Sequence, residues 1–477
     1  MILLDINTHD YENDVRVMTL AFFPGQKIVI SKETDVDFAV KVKVYDTRVI
    51  VDVLSNKQYH LEDMAADAEK KTVRNLLKRM LYRIYSEITG KELPWGTLTG
   101  IRPTKIPYGL MEQGIEEQEI RDILSKEYLM NETKTNLSIE VAENERKLIA
   151  KENFDDTYSL YIGIPFCPTT CLYCSFTSYP IGLWKDKVDD YLDALTKELV
   201  FLGDYLKDKK ALSVYIGGGT PTTLLPYQIE RLVKCIRSNF DLSELKEFTL
   251  EAGRPDSIDR DKLMAIISNG IDRISINPQT MNQRTLDIIG RKHSTSQIIE
   301  TFHLARECGF KNINMDLIIG LPGENADDVA HTLEEIRKLN PDSLTVHSLA
   351  IKRAAALNIF KEKYADMDIV NTDEIINYTY NFAKNCNLYP YYLYRQKNMA
   401  GNFENVGYAK KGCEGIYNIL IMEELHSIYA AGANSQSKIV YRNPAKVDRI
   451  ENVKDVAEYI RRIDEMIDRK RNYFNGK

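Results

Sequence analysis

Six short apolar runs between residues 158 and 349 alternate with helical stretches, and this rhythm constrains the fold more than any other feature. The runs cover residues 158–164, 212–216, 247–251, 273–277, 313–319 and 343–349. The first helical stretch has one apolar face, at alternating steps of four and three, formed by Val188, Leu192, Leu195, Leu199 and Leu202. Buried strands joined by helices favour a parallel sheet, which right-handed crossovers curl. The sequence therefore predicts an α/β fold with a partial (β/α)6 barrel, in which chemistry gathers at the C-terminal strand ends.

Three cysteines follow the first of these strands in a CxxxCxxC pattern, at Cys167, Cys171 and Cys174. Thiolates are preferred ligands of iron–sulfur clusters, so a short loop with three of them can bind one face of a [4Fe–4S] cluster. The fourth iron then lacks a protein ligand and is open to S-adenosylmethionine, which offers an amino and a carboxylate group. The alternatives are three unrelated core cysteines or a zinc site, although structural zinc needs four ligands and no second arm follows.

Glycine-rich and polar segments follow the other predicted strands. Gly217, Gly218 and Gly219 come directly after the second strand, where they let the backbone approach a ligand and leave amide groups free to bind it. Further candidates at later strand ends are Glu251, residues 273–279, Arg291, residues 315–323 and Ala350. Taken singly, each has a plain structural explanation as a turn or a solvated strand end. Their shared location predicts one common site.

The segment Tyr-Ile-Gly-Ile-Pro-Phe-Cys-Pro-Thr-Thr-Cys-Leu-Tyr-Cys-Ser-Phe, at residues 161–176, resembles a known family. Its cysteine pattern is the signature of the radical S-adenosylmethionine superfamily. The surrounding residues are similar to the branch of oxygen-independent coproporphyrinogen III oxidases and their haem-chaperone relatives, most of all to the HemZ-type coproporphyrinogen dehydrogenases. The resemblance extends over residues 155–440.

This resemblance implies a set of functional residues. Cys167, Cys171 and Cys174 would hold the [4Fe–4S] cluster and, with Tyr161, form the catalytic group. The residues implied to contact a cluster-bound S-adenosylmethionine are Tyr161, Gly218 and Glu251. Those implied to line a second S-adenosylmethionine molecule are Tyr173, Gly219, Thr220, Gln279, Arg291, Asp316 and Ala350.

The chain departs from the family pattern at two places. Gly163 stands where many relatives have histidine, and Ser175 and Phe176 replace the Gly-Cys pair that follows the cluster motif in the oxidases. The Ser-Phe ending is more similar to the haem chaperones. The departures leave the cluster motif intact but bear on which reaction the chain performs.

The activity implied by the resemblance is that of a radical oxidoreductase in haem biosynthesis. A 5′-deoxyadenosyl radical would take hydrogen from a propionate side chain of coproporphyrinogen III, and loss of carbon dioxide and an electron would leave a vinyl group. Two such events give protoporphyrinogen IX. The implied partners are this tetrapyrrole and an electron donor protein of flavodoxin or ferredoxin type. The alternatives are a haem chaperone and a radical enzyme that acts on another tetrapyrrole.

The pattern divides the chain into an α+β domain with a helical connector, the partial barrel, and a mostly helical lid or substrate module, at residues 1–152, 153–365 and 366–477. In the first region, two-residue alternation predicts strands between residues 1 and about 55, for example at residues 36–44 and 49–53, and helical spacing predicts a helix from about Leu61 to Ile88. Basic residues proposed to clamp substrate propionates are Arg102, Lys105, Arg353, Arg395 and Lys397.

Composition indicates the setting. The chain has 63 Lys and Arg against 70 Asp and Glu, and this net charge of −7 argues against nucleic acid as a partner. Seven cysteines, an odd number in 477 residues, fit a reducing compartment better than a disulfide framework. No run of about 18 apolar residues suggests a membrane span. We therefore expect a cytoplasmic protein, and an exposed cluster would need an anaerobic environment.

Overall fold

A computed structural model describes most of the chain, namely residues 1–30, 37–174, 178–350, 355–359, 367–396, 403–442 and 445–476. The chain forms two compact units. One unit comprises Met1–Glu143 and Tyr394–Asn398, and the other comprises Asn144–Leu393 and Met399–Lys477. No helix in the described part of the chain is long and apolar enough to cross a membrane.

The elements of the N-terminal part are β1 (Ile2–Ile6), α1 (Glu12–Phe22), β2 (Ile28–Ile30), β3 (Ala39–Tyr45), β4 (Arg48–Leu54), β5 (Gln58–Met64), α2 (Lys70–Thr89), α3 (Lys105–Glu112), α4 (Glu117–Lys126) and α5 (Glu132–Ile149). The strands form one sheet in the order β2-β1-β3-β4-β5. On β4, Val49, Val51 and Val53 are fully buried while the residues between them are partly exposed, so one face of the sheet covers a core shared with α1 and α2.

Two predictions for this region were wrong in detail. Residues 12–22, within the range expected to form strands, form helix α1, and the helix expected from Leu61 begins only at Lys70 because residues 58–64 form the edge strand β5. In β5 only Tyr59 and Leu61 are half-buried, and the other five side chains are exposed. A mostly solvated edge strand carries little apolar periodicity, so its sequence did not distinguish it from a helix.

The central elements are β6 (Thr157–Ile164), β7 (Phe166–Cys167), β8 (Tyr179–Pro180), α6 (Val188–Tyr205), β9 (Lys210–Gly218), α7 (Pro226–Asn239), β10 (Glu247–Gly253), α8 (Arg260–Ser268), β11 (Arg273–Ile276), α9 (Gln283–Ile288), α10 (Thr295–Glu307), β12 (Asn312–Ile319), α11 (Ala326–Leu339), β13 (Ser343–Ser348) and α12 (Ala356–Ile359). All six predicted strands are present, as β6 and β9 to β13. They pair in parallel in that order. This confirms the predicted α/β architecture.

The C-terminal elements are α13 (Asp373–Asn385), β14 (Tyr389–Tyr394), β15 (Asn405–Ala409), α14 (Ile416–Glu423), β16 (Ile428–Ala431), β17 (Gln436–Arg442), β18 (Ala445–Glu451), α15 (Val456–Arg461) and α16 (Ile463–Asn475). The prediction of a mostly helical module missed five strands. They extend the central sheet at both sides, in the order β14-β15-β13-β12-β11-β10-β9-β6-β16-β17-β18. The described strands leave β14 and β18 as open edges, so the barrel is partial. The predicted boundaries at residues 152 and 365 remain predictions.

A buried ion pair joins the C-terminal helices to the central sheet. The Lys470 ammonium lies 2.5 Å from a Glu198 carboxylate oxygen, and both residues are at most 1% exposed. Glu198 also accepts hydrogen bonds from the Tyr459 hydroxyl at 2.6 Å, the Asn452 amide at 2.8 Å and the Gly432 N–H at 2.9 Å. Gly432 directly follows β16, the strand paired with β6. The carboxylate therefore fixes α6, α15 and α16 against the strand that leads into the cysteine loop.

Removal of the Lys470 ammonium should strongly destabilise this unit. We expect Lys470→Met to lower its free energy of unfolding by about 3–5 kcal/mol, because Glu198 would keep a buried charge without its counter-ion. Arg471→Ala, which breaks a half-exposed pair with Asp468 on the same helix, should change it by less than about 1 kcal/mol. Urea unfolding followed by circular dichroism measures both. Equal effects of the two substitutions would contradict the assigned role of the buried pair.

Candidate functional site

The cysteine loop begins at the carboxyl end of β6. Cys167 and Cys174 are half-buried and Cys171 is 8% exposed. The Cys174 N–H donates to the Cys171 carbonyl at 3.1 Å, which makes a tight turn. In the described part of the chain, no three Cys, His, Asp or Glu side chains form a group that could hold a metal ion. The three cysteines lie in one loop, but the convergence of their thiols on a cluster remains a prediction.

The thiol of Cys167 is protonated in this arrangement. Burial raises its pKa to about 11, although the Thr220 hydroxyl, which donates to the sulfur at 3.5 Å, opposes this shift. Metals bind the thiolate form of cysteine, so iron binding at Cys167 must release a proton. The Thr220 hydroxyl is thus a polar contact of a predicted cluster ligand.

The glycine loop at the end of β9 packs directly on the cysteine loop. The Gly219 N–H donates to the Ile164 carbonyl at 2.8 Å, and the Thr220 N–H donates to the Phe166 carbonyl at 2.7 Å. A Cβ atom at Gly219 would lie 2.6 Å from the Phe166 oxygen, and Gly218 has a φ of +103°. Only glycine satisfies both requirements. Gly218 and Gly219 are therefore needed for the two loops to approach each other.

Glu251 lies beside this glycine loop on β10. It accepts a hydrogen bond from the Tyr215 hydroxyl at 2.5 Å and one from the Gly218 N–H at 3.3 Å. Burial raises the pKa of its carboxyl to about 7, and these hydrogen bonds limit the rise. The Tyr161 and Tyr417 rings lie roughly parallel to Tyr215, with centroids 6.3 Å from Tyr215 for Tyr161 and 4.6 Å for Tyr417. The carboxyl thus stands next to a stack of three aromatic rings.

A second polar group surrounds the end of β11. One Arg291 nitrogen donates to the Asn277 carbonyl at 2.5 Å, and another donates to the Tyr173 hydroxyl at 3.2 Å. The Gln279 N–H donates to the Asp316 carbonyl at 2.9 Å, and Gln279 has a φ of +69°. Three buried polar atoms have no hydrogen-bond partner among the described residues: Asn277 Oδ1, Gln279 Oε1 and Arg291 Nε. These atoms are available to a polar ligand.

Asp316 lies within β12, and Ala350 follows the end of β13. The Asn314 amide donates to Asp316 at 2.7 Å, and His347 lies 3.9 Å from its other oxygen. Burial would raise the pKa of the Asp316 carboxyl, but the nearby His347 ring and the hydrogen bond from the Asn314 amide hold it below its usual value. Ala350 is half-buried and follows Leu349, whose N–H donates to the Ile319 carbonyl at 2.9 Å. The carboxylate is thus ionised and fixed at neutral pH.

The proposed propionate clamps remain predictions. Arg395 belongs to the first unit, where its guanidinium lies 5.8 Å from the Trp95 ring centroid and donates to the Leu98 carbonyl. These contacts give it a structural role there. Arg353 and Lys397 lie outside the described residues, and Arg102 and Lys105 remain predictions.

Sequence analysis missed several residues of this site. Tyr215 and Tyr417 were not assigned a role, and neither was Arg254, whose guanidinium lies 3.9 Å from the Cys171 sulfur. Asn277 was a candidate only as part of residues 273–279. Tyr215 had a detectable signal, because it precedes the glycine loop by two positions and so lies on the same strand face as Gly217. Tyr417 comes from a distant helix, and no local pattern indicated its contact with Tyr215.

Comparison with known proteins identifies the class of this site. A model of the Radical SAM superfamily matches residues 161–336. Among solved structures, coproporphyrinogen III oxidase (HemN) from Escherichia coli aligns with a TM-score of 0.52 and 24% identity, over 67% of this chain and 72% of that chain. This structural likeness concerns the fold.

Three curated relatives refine the comparison. The chain is 38% identical to the oxygen-independent coproporphyrinogen-III oxidase-like protein HemZ of Bacillus subtilis, over 95% of this chain and 93% of that protein. It is 36% identical to the heme chaperone HemW of Bacillus subtilis, over 41% of this chain and 51% of that protein. It is 35% identical to the oxygen-independent coproporphyrinogen III oxidase of Escherichia coli, over 40% of this chain and 42% of that protein.

The fold and the cysteine motif thus define a radical S-adenosylmethionine protein. Within that superfamily, the chain belongs to the family of oxygen-independent coproporphyrinogen III oxidases and their HemZ-like relatives. Membership implies a [4Fe–4S] cluster and S-adenosylmethionine as cofactors. The residue types present fit both groups, because three cysteines, whose thiolates are preferred ligands of iron–sulfur clusters, lie in one loop and buried polar atoms near that loop can bind a ligand.

Loss of a predicted cluster ligand should remove iron. We expect anaerobically reconstituted Cys171→Ala to retain less than half of the wild-type iron and sulfide, because a structural site needs its full ligand set. Cys235→Ala, a half-buried cysteine on α7, should keep the full content and brown colour. Iron and sulfide analysis with visible absorption measures both. Full iron content in Cys171→Ala would exclude the assigned ligand.

The Glu251 carboxyl should make the stability of the cofactor-free protein depend on pH. The unfolded chain loses this proton near the ordinary value of 4.5, whereas the folded protein keeps it until about pH 7. Between these values a rise in pH favours the unfolded state, so the stability conferred by the neutral carboxyl is lost by pH 7. We expect the urea midpoint of wild type to fall relative to Glu251→Gln over this range and the difference to stay level above it. Parallel profiles would contradict the assigned pKa.

Proposed function

We propose that this chain catalyses the oxygen-independent oxidative decarboxylation of coproporphyrinogen III to protoporphyrinogen IX. The similarity to HemZ along almost the whole of both chains supports this assignment. The observation that carries it furthest is the second polar group, in which Arg291, Tyr173, Asn277 and Gln279 meet beside the cysteine loop with three buried polar atoms left open. Such a group could bind a second cofactor molecule, or a polar side chain of the substrate, close to the first cofactor.

In this proposal Cys167, Cys171 and Cys174 hold the cluster, and Gly218 and Glu251 hold the S-adenosylmethionine bound to it. When bound, the cluster would supply one electron for the reductive cleavage of S-adenosylmethionine, which is the source of the radical chemistry. Glu251 is ionised above about pH 7, so it can accept hydrogen bonds from the cofactor's amino and hydroxyl groups. A second S-adenosylmethionine would lie against Gln279, Arg291 and Asp316.

The remaining residues would position and shield the reacting groups. In the stack of three rings, Tyr417 is buried and Tyr161 and Tyr215 are half-buried, and together they would keep water from one side of the site. Exclusion of water protects a reactive intermediate from side reactions. Arg291 is held at two of its nitrogens, so its third nitrogen has a fixed direction. These contacts would set the position of the substrate relative to the radical, on which the rate depends steeply.

The haem-chaperone function is the second candidate. It is favoured by the 36% identity to HemW, although that similarity covers only 41% of this chain. The Ser175-Phe176 ending, which is more similar to the chaperones, lies outside the described residues. In a chaperone, the same cysteine loop would be retained without turnover of a porphyrinogen.

An anaerobic assay with coproporphyrinogen III, S-adenosylmethionine and a reductant tests the proposal. We expect a product lighter by two formic-acid equivalents, detected by mass spectrometry, together with 5′-deoxyadenosine. Arg291→Ala should lower the rate by about a hundredfold through loss of positioning, with iron content unchanged. Arg284→Ala, on the neighbouring helix α9, should leave the rate unchanged. Stoichiometric haem binding with no 5′-deoxyadenosine on addition of coproporphyrinogen would instead favour the chaperone.

A further inference from the structure

Arg254 is a buried cation next to the cysteine loop. It follows β10 directly and is 3% exposed. A buried guanidinium needs partners for its donors, because an unpaired charge is costly away from water. Two of its nitrogens bind the Asp256 carboxylate as a fork, with Nε at 2.9 Å and Nη2 at 2.7 Å. This bidentate contact fixes the plane of the guanidinium.

The third nitrogen faces the cysteine loop. Nη1 donates to the Thr169 hydroxyl at 2.6 Å and to the Thr169 carbonyl at 3.1 Å. The same nitrogen lies 3.9 Å from the Cys171 sulfur. The Arg254–Asp256 pair is therefore oriented, with its positive end toward the sulfur and its negative end away from it.

The oriented pair has an electrostatic consequence for the loop. Asp256 neutralises the overall charge, but the field close to Nη1 stays positive, and it acts in a buried region where screening by water is weak. Hydrogen bonds and positive charge near ligand sulfurs are among the features through which a protein sets the reduction potential of an iron–sulfur cluster. Thr220 donates to the Cys167 sulfur, so two of the three predicted ligand sulfurs have a donor from a neighbouring strand end.

We propose that Arg254, held by Asp256, is a positioning residue that raises the reduction potential of the cluster through the sulfur of Cys171. When the oxidised cluster takes up one electron, it gains one negative charge, which the guanidinium stabilises. In the cell the electron comes from a protein donor, and in the assay it comes from dithionite. The inference rests on the proposed role of the three cysteines as cluster ligands.

The test is an anaerobic redox titration of the reconstituted full-length protein, in which the reduced cluster is followed by electron paramagnetic resonance. We expect Arg254→Gln to hold wild-type iron and to show a more negative potential. At a fixed applied potential the ratio of reduced to oxidised cluster should fall about tenfold, which corresponds to 59 mV for one electron. Arg254→Lys keeps the charge but loses the bidentate contact with Asp256. Its reduction potential should lie between those of wild type and Arg254→Gln.

Arg260→Gln is the matched control. It removes the same charge six residues along the chain, where the guanidinium is exposed and paired with Glu307 at 2.6 Å. Its potential should equal that of wild type. An unchanged potential in Arg254→Gln, or an equal shift in Arg260→Gln, would overturn the inference while leaving the cysteine assignment intact.

Two further outcomes distinguish failure of this proposal from failure of the cysteine assignment. If Arg254→Gln and Arg254→Met both fail to hold iron while Arg254→Lys holds it, Arg254 serves cluster assembly, and the proposal on the potential is overturned. If wild type itself takes up no iron, the cysteine assignment fails instead, together with the proposed function.

Discussion

The parallel pairing of β6 with β9 is the constraint on which the site depends. The two strands pair from Thr157 with Lys210 to Ile164 with Gly218, so their carboxyl ends lie side by side. The cysteine loop follows one end and the glycine loop follows the other. The N–H groups of Gly219 and Thr220 donate to the carbonyls of Ile164 and Phe166, and this close approach leaves no room for a side chain at Gly219. A parallel register therefore turns two distant sequence motifs into one contiguous surface.

The sequence predicted the part of the fold in which local pattern and tertiary burial agree. Strands β6 and β9 to β13 are covered on both faces, and such strands appear as continuous apolar runs that can be recognised without knowledge of their partners. Strand β16 has only four residues, and its partner β6 lies more than 250 positions earlier in the chain. Its pairing is specified by tertiary contacts and by the Gly432 bond to Glu198. No local periodicity contains that information, which is why the C-terminal region was predicted as helical.

In the site, too, some residues could be predicted from the sequence and others could not. Cys171, Gly218 and Glu251 could be proposed from sequence because each occurs in a short motif at a strand end. Arg254 and Tyr417 could not be proposed from sequence, because their roles depend on how the folded protein orients each side chain. The guanidinium of Arg254 is aimed by Asp256, and the ring of Tyr417 meets Tyr215 only after α14 has packed beside β9. Sequence motifs thus indicate which backbone segments meet at the site, and side-chain packing determines which of the nearby polar groups reach it.

The open polar atoms of the site connect stability to ligand binding. A buried polar atom without a hydrogen bond costs about 1–3 kcal/mol, and Asn277 Oδ1, Gln279 Oε1 and Arg291 Nε have no such partner among the described residues. The fold keeps these atoms in place through contacts at their other ends, as when Arg291 donates to Asn277 and Tyr173. A ligand that satisfies them recovers this cost on binding and stabilises the folded state in proportion to its affinity. The strands therefore position a group of buried polar atoms that is more stable with a ligand bound than without one.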